Sequence, residues 1–344
     1  MVQSLQNTLK FLQFSKFMQK ASIIALKEKA YPNPNVAAIL VDENNQIKGM
    51  GVHKGPGTDH AEIELIKKCN IESTDTLYIT LEPCYHSDTS PSCAEELLKT
   101  DLKNLVIGDI DVDERTNGKS INKLKNEGVE INIEKGINDF INPHYKSQKL
   151  NASYPYIIGK LAISQNNKIY DIDKKLKYIS NEDSLKLTHL IRASVDAILI
   201  GKNTLITDSP KLNIRYQGLE HIEIKKIVLW GTDSENIEKY ASEYKDFIFI
   251  TDFEDVSNNV VNIKTINKTN IINFLQNNSI SSLLVEGGNK TLSFFFENNL
   301  INKFYLFKSD KNIMNGIDMN IELNGKLSLN NEYKLNENIL EIYT

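Results

Sequence analysis

Four short segments constrain this chain more than anything else in it. In order they are His60-Ala61-Glu62, the apolar run Thr76-Leu77-Tyr78-Ile79-Thr80-Leu81, Glu82-Pro83-Cys84, and Cys93 nine residues further on. An imidazole, two thiols and a carboxylate so spaced can meet only if the apolar run is a buried strand ending beside two helix starts. Residues two apart do not share a face inside a helix, so His60 must sit at a helix start, with Thr58 or Asp59 as candidate N-cap. Glu62 then faces the same point. Ser90-Pro91-Ser92-Cys93 reads as an N-cap followed by proline in the first turn, which puts Cys93 where the helix dipole favours a thiolate. Cys84 ends the strand beside it.

Each piece alone has a plainer reading, since an isolated His-x-Glu is usually a solvated helix start and two cysteines nine apart are usually just buried. Together, in this order, His60, Cys84 and Cys93 read as three zinc ligands. Three protein ligands leave one tetrahedral position open, the catalytic rather than the structural arrangement. Glu62 is then placed to carry a proton from the attacking water to a departing amine, as in zinc deaminases of nucleobases. Cys69 reads as a packing residue. His53, His144, His189 and His221 read as structural or surface residues.

At 344 residues the chain suits two domains, each large enough for its own core. The net charge of -5, with no long lysine or arginine run, lacks the electrostatic footprint of a nucleic-acid binder. A small, phosphorylated substrate stays compatible. No stretch approaches roughly twenty uninterrupted apolar residues, so no membrane partner is expected. Three cysteines make a poor disulfide framework, which suits a reducing, cytoplasmic compartment.

The chemistry-bearing segments sit in an alternating pattern. Residues 15–29 carry helical apolar spacing, and Tyr31-Pro32-Asn33-Pro34 stops that helix. Strands are expected at 36–41 and 47–52 as a hairpin, then helix 60–69, strand 76–81, helix 94–100, strand 105–110, helix 118–127 and strand 129–134. This is one α/β domain with a mixed sheet covered on both faces by helices. A polar segment over 142–155 places the boundary near 150. Beyond it come strand 156–164, helix 181–193, strands 197–201, 227–230 and 247–251, helix 268–278 and strand 283–288, a second α/β domain. No GxGxxG follows a strand and no P-loop is present.

With these motifs in view, the sequence resembles the bifunctional riboflavin-biosynthesis deaminase/reductase family over nearly its whole length. Asn33-Pro34-Asn35-Val36, Gly51-Val52-His53, Gly57 before His60-Ala61-Glu62, and TLEPC with His86, Pro91 and Cys93 stand at that family's spacing. Cytidine and tRNA-adenosine deaminases usually show Cys-x-x-Cys instead. The later matching segments are Lys160 to Ser164, His189 to Ala193, residues 196–205, Asp208-Ser209-Pro210 with Leu212 and Arg215, and residues 285–288. The resemblance implies a cytidine-deaminase-like α/β/α domain over 1–150 and a dihydrofolate-reductase-like α/β domain over 151–344.

The resemblance also implies two activities: hydrolytic deamination of 2,5-diamino-6-ribosylamino-4(3H)-pyrimidinone 5′-phosphate, then reduction of the ribosyl side chain to ribityl with NADPH. By position, Ala162, Tyr178, Thr204, Asp208, Thr232 and the turn Gly288-Asn289-Lys290-Thr291-Leu292-Ser293-Phe294 form the cofactor-binding set. Arg192, Leu212, Arg215 and Glu286 form the substrate set: arginines suit a phosphate, and Glu286 suits a polar pyrimidine edge. A homo-oligomer is expected. The chain departs from the pattern at Ala37, Thr89, Asn166-Asn167, Leu176, Tyr178 and the Phe304-Tyr305 segment. Two alternatives stand beside this reading: a deaminase whose C-terminal domain binds or stabilises without reducing, and a non-catalytic nucleotide-binding protein with structural zinc.

Overall fold

A computed structural model of the chain describes residues 14–86, 92–143, 145, 155–176, 178–254, 257–323 and 327–344. The chain divides into two compact units close to residue 151. Among the described residues no helix is long and apolar enough to cross a membrane.

In the first unit helix α1 (Lys16–Lys27) is followed by strands β1 (Ala37–Val41) and β2 (Ile47–Val52), helix α2 (Ala61–Ile66) and strand β3 (Thr76–Ile79). Helix α3 (Cys93–Leu98), β4 (Asn104–Ile107), α4 (Lys119–Asn126), β5 (Glu130–Ile133) and α5 (Asn138–Ile141) complete it. The five strands lie in the order β2-β1-β3-β4-β5. Strand β1 pairs antiparallel with β2 and β3, whereas β3, β4 and β5 run parallel. The hairpin turn forms because Asp42 Oδ1 accepts from the Asn44 and Gln46 N–H groups, and Asn45 tolerates its φ of 60°. Strand β1 is buried at every position, as its unbroken Ala-Ala-Ile-Leu-Val predicts for a strand covered on both faces. Ala38, Leu40, Ala61, Leu65, Leu77, Ile79, Leu97 and Ile107 share its core.

The second unit runs β6 (Tyr156–Ile163), β7 (Lys168–Asp171), α6 (Glu182–Ala193), β8 (Ala197–Gly201), α7 (Lys202–Asp208) and β9 (Lys225–Gly231). It continues α8 (Ile237–Glu243), β10 (Phe247–Thr251), β11 (Val260–Asn262), α9 (Lys268–Asn277), β12 (Ser282–Glu286), α10 (Asn289–Glu297) and β13 (Lys303–Lys308). Strands β14 (Gly316–Asp318), β15 (Leu329–Leu335) and β16 (Asn338–Tyr343) end it. Nine strands form one sheet, β11-β10-β9-β8-β12-β6-β13-β16-β15, and β7 pairs with β14 separately. After β6 the chain skips a position, builds outward from β8 to β11, and returns to insert β12 between β8 and β6. Strands β8, β12 and β6 are parallel, so the carboxyl ends at this reversal are where an open α/β sheet binds ligands.

Several elements escape the sequence reading: α5, α7, α8, α10 and strands β7, β11 and β13 to β16. Strand β15 carries alternate polar residues at the sheet edge and lacks an apolar run, and α7 follows β8 with no intervening loop. The Asn166-Asn167 departure is absorbed by a turn: Asn167 takes a φ of 59°, tolerable for asparagine, and Asn166 Oδ1 accepts from Ser164 Oγ and the Ile313 N–H.

Candidate active sites

Helix α2 starts at Ala61 with His60 itself as the N-cap residue, at φ -68° and ψ 158°, and no side chain caps it. Neither Thr58 nor Asp59 takes the expected capping role. Thr58 Oγ1 donates to the Gly55 carbonyl, and Asp59 pairs with Lys67 at 2.6 Å. Gly51 on β2 permits the arrangement: a Cβ there would stand 2.0 Å from the Ala61 carbonyl oxygen, so only glycine lets the first turn of α2 lie against the strand. Helix α3 starts at Cys93, capped by Ser92, whose hydroxyl accepts from Glu95 N–H at 3.3 Å. The expected cap Ser90 lies outside the described residues with Pro91, and the position is filled by Ser92. Thr89 and His144 also lie outside the described residues.

These helix starts bring His60, Cys84 and Cys93 together, with their ligand atoms all within 4.8 Å of one another. His60 Nδ1 is 3.2 Å from Cys93 Sγ, and the Cys93 N–H donates to Cys84 Sγ at 3.2 Å. The first N–H of α3 therefore points to the neighbouring sulfur of Cys84 and not to its own. Hydrogen bonding from Cys93, with His60 adding to it, pulls the Cys84 thiol down to about 4 despite burial. Cys93 is pushed up by its role as donor to Cys84 and by burial. The hydrogen bond to Cys84 raises His60 to about 9, and burial raises Glu62, 3 % exposed, to about 7. One nitrogen and two sulfur donors, from two helix starts and the segment after β3, match zinc's preferred ligand chemistry, and three of them leave a position open.

Two neighbours fix the surroundings. The Glu82 carboxylate accepts from Asp111 N–H, Gly118 N–H and Ser120 Oγ at 3.1, 2.9 and 2.6 Å, anchoring the strand end that carries Cys84. His53, read from sequence as structural, lies edge-on to His60 with ring centroids 5.1 Å apart. Its Nδ1 donates to the Asp59 carbonyl at 3.0 Å, which leaves Nε2 to accept from Asn33 Nδ2 at 2.9 Å. The Asn33-Pro34-Asn35 segment was the available signal, because Asn35 is locked to Asn142 by reciprocal hydrogen bonds of 2.7 and 2.9 Å that hold Asn33 in place. Cys69 is a packing residue: its Sγ donates to the Leu65 carbonyl and leaves no room for a Cβ on Gly49.

In the second unit the carboxyl ends of β8 and β12 carry the residues expected at the cofactor. Thr204 Oγ1 accepts from Gly288 N–H at 3.3 Å, and a Cβ on Gly201 would stand 2.2 Å from Thr291 Oγ1. Glycine there lets α10 close onto the strand ends, while nothing lies nearer than 3.9 Å to where a Gly288 Cβ would be. That open, glycine-edged shelf with threonine hydroxyls and a helix start that its N-cap side chain does not cap fits a dinucleotide phosphate. Ala162 is half-buried on β6, Thr232 is exposed just past β9, Asp208 ends α7, and Tyr178 is exposed. Residues 288–294, expected as a turn, are instead the N-cap and first turns of α10. Within them Leu292 is fully buried in the core and Phe294 packs against it, so neither side chain belongs to a cofactor shelf; Asn289, Lys290 and Ser293 keep exposed surface.

The expected substrate set is only partly free for substrate. Arg192 Nε and Nη2 grip Glu286 Oε1 and Oε2 at 2.6 and 3.0 Å, and Lys160 Nζ lies 3.8 Å from Glu286. The pairing corrects the expectation of Arg192 as a phosphate ligand, because its fork already faces a carboxylate. Burial pushes Glu286 up, but the charges of Arg192 and Lys160 win and hold it at about 2. His189 is held near 4 by burial and the flanking arginines, and its Nδ1 accepts from Arg215 N–H at 3.3 Å. Leu212 is buried at a φ of 50°, whereas the Arg215 guanidinium is exposed beside Asn213 Oδ1. Sequence reasoning missed Lys160 and His189, whose partners come from strands and loops far along the chain.

Arg192→Ala is expected to lower the stability of the chain by about 3–5 kcal/mol, the usual cost of leaving a buried charge unpaired. Urea unfolding measures it. Adding Glu286→Gln should return part of that loss, and a double variant no more stable than the single would show that the ion pair is not the cause.

The first fold and its histidine–cysteine cluster define a zinc-binding deaminase domain, and the second unit a nicotinamide-dependent reductase domain. The cytidine and deoxycytidylate deaminase zinc-binding region matches residues 13–109, and the RibD C-terminal domain matches residues 155–309. The riboflavin biosynthesis protein RibD of Aquifex aeolicus is 29% identical over 327 residues, covering 88% of both chains; that of Actinobacillus pleuropneumoniae is 27% identical over 89% of this chain and 86% of its own. The fold is similar to a diaminohydroxyphosphoribosylaminopyrimidine deaminase/5-amino-6-(5-phosphoribosylamino)uracil reductase from Thermotoga maritima, with TM-score 0.61 and 24% identity over 95% of this chain and 97% of that one. It is also similar to Acinetobacter baumannii RibD, with TM-score 0.58 and 23% identity over the same shares. The chain belongs to the RibD-type family of bifunctional deaminase/reductases of riboflavin biosynthesis, with zinc and NADPH as cofactors.

Proposed function

We propose that residues 1–150 deaminate 2,5-diamino-6-ribosylamino-4(3H)-pyrimidinone 5′-phosphate and that residues 151–344 reduce the ribosyl side chain of the product to ribityl. The convergence of His60, Cys84 and Cys93 on one point, with Glu62 buried beside them, carries this reading. His60, Cys84 and Cys93 would hold the zinc, which would supply Lewis-acid activation of water. Glu62 takes the proton from the attacking water and returns it to the amine as ammonia leaves. Asn33 and His53 form a polar wall beside His60 that orients the pyrimidine.

In the second unit the shelf of Gly201, Thr204, Gly288 and Thr291 would hold the NADPH phosphates, and Ala162, Tyr178, Asp208 and Thr232 would line the rest of the cofactor. Arg192 serves as the anchor that keeps Glu286 ionised and aimed, and Arg215 is the phosphate ligand, since its guanidinium keeps exposed donors. Glu286, Lys160 and Leu212 face the substrate. The reading places the enzyme in the cytoplasm, where Cys84 and Cys93 stay reduced for metal; homo-oligomerisation is expected and sedimentation velocity reads it.

The experiment is a coupled assay on the diaminopyrimidine phosphate, following ammonia release and NADPH consumption together. Equal molar yields of ammonia and NADP+ are expected. Ammonia without NADPH oxidation would leave the C-terminal domain a binding or stabilising unit.

A further inference from the structure

Lys202 lies at the first position of α7, between Gly201 and Thr204 of the shelf, yet its side chain turns to the next strand. Its ammonium sits 4.6 Å from the ring centroid of Trp230 on β9 and pairs with Asp233. Trp230 is a fixed platform, 3 % exposed, with Nε1 donating to the Asp233 carbonyl at 2.7 Å and its ring against Tyr240 and Phe249. The Lys202 side chain is 18% exposed and that of Asp233 58% exposed. The cation is therefore held against the ring, while its counter-ion, whose Oδ1 also accepts from Glu235 N–H at 2.9 Å, faces solvent.

The sheet order sets the distances. Gly288, at the end of β12, is separated from the end of β9 by β8 alone, and neighbouring strands stand about 4.8 Å apart. Two strands make roughly 10 Å along the carboxyl edge, comparable to the reach from a dinucleotide's pyrophosphate across the adenosine ribose to a 2′-phosphate. Thr232 is exposed at that end. NADPH differs from NADH only by a phosphate on this ribose, and a nearby cation accommodates it where a carboxylate would hold a bare hydroxyl.

We propose that Lys202 is the recognition residue for the 2′-phosphate of NADPH, with Asp233 the counter-ion that the phosphate displaces. The proposal rests on the cofactor shelf described above and adds the residue that makes it selective. A charge-assisted contact of this kind on a dianion gives about ten- to a hundredfold in affinity.

Calorimetric titration of the full chain with adenosine 2′,5′-bisphosphate and with 5′-AMP tests it. The bisphosphate should bind the unaltered protein more tightly. Lys202→Gln should weaken it about ten- to a hundredfold while the 5′-AMP affinity moves less than about twofold, and Asp233→Asn should tighten the bisphosphate. Equal loss of both ligands, or no loss of either, in Lys202→Gln overturns the proposal. Unaltered protein that binds both nucleotides equally also overturns it and leaves the shelf standing. Protein that binds neither overturns the shelf itself, and the proposal with it.

Discussion

Glu62→Gln should retain one zinc per chain and lose on the order of a hundredfold to ten-thousandfold of its deamination rate, the usual cost of removing a general acid/base. Glutamine keeps the size of the side chain in a position only 3 % exposed, so packing is preserved and only the proton carrier is lost. Metal analysis and the rate of ammonia release read the two effects separately. A rate within about threefold of the unaltered enzyme, far short of that range, would assign the proton transfer to another group, with His53 beside His60 the first to substitute.

The second large effect is on the metal. Nitrogen–sulfur zinc sites hold the ion with roughly 10–16 kcal/mol at neutral pH, and the Cys84→Ser/Cys93→Ser variant leaves one of three protein ligands in place. Bound zinc should fall from one equivalent to a trace, and ammonia release to background. Among the described residues His60, Cys84 and Cys93 form the one histidine–cysteine–carboxylate group close enough for such a site, so full zinc in this variant would remove the assignment. The fold should survive, because Cys84 and Cys93 contribute no strand pairing and α3 keeps its Ser92 cap.

The first site was legible because its chemistry is written in local segments. His60 and Cys93 stand at helix starts as their spacing expresses, although the caps are not the expected ones, and β3 between them is an apolar run. What sequence hid was the hydrogen bonding within the cluster. The Cys93 N–H donates to Cys84 Sγ, and no spacing rule reaches where one backbone N–H points. In the second unit the strands of the parallel core were read within a residue or two, but the ion pair of Arg192 with Glu286 joins residues 94 apart in sequence. A lone arginine and a lone glutamate gave no hint of it. Residues 288–294 were missed as a helix because Gly287 and Gly288 suggest a turn, while the apolar face that fixes α10 on the core, Leu292, Phe295 and Phe296, begins only afterwards.

The two chemistries rest on two separate residue sets, and zinc removal separates them most directly. The chain is stripped with a chelator, and ammonia release from the diaminopyrimidine phosphate and NADPH oxidation on pre-deaminated product are followed on the same preparation. Ammonia release should stop and return when zinc is restored, whereas NADPH oxidation should continue within about twofold, since every metal ligand precedes residue 94 and every reductase residue follows 155. Loss of both reactions on chelation would contradict the account.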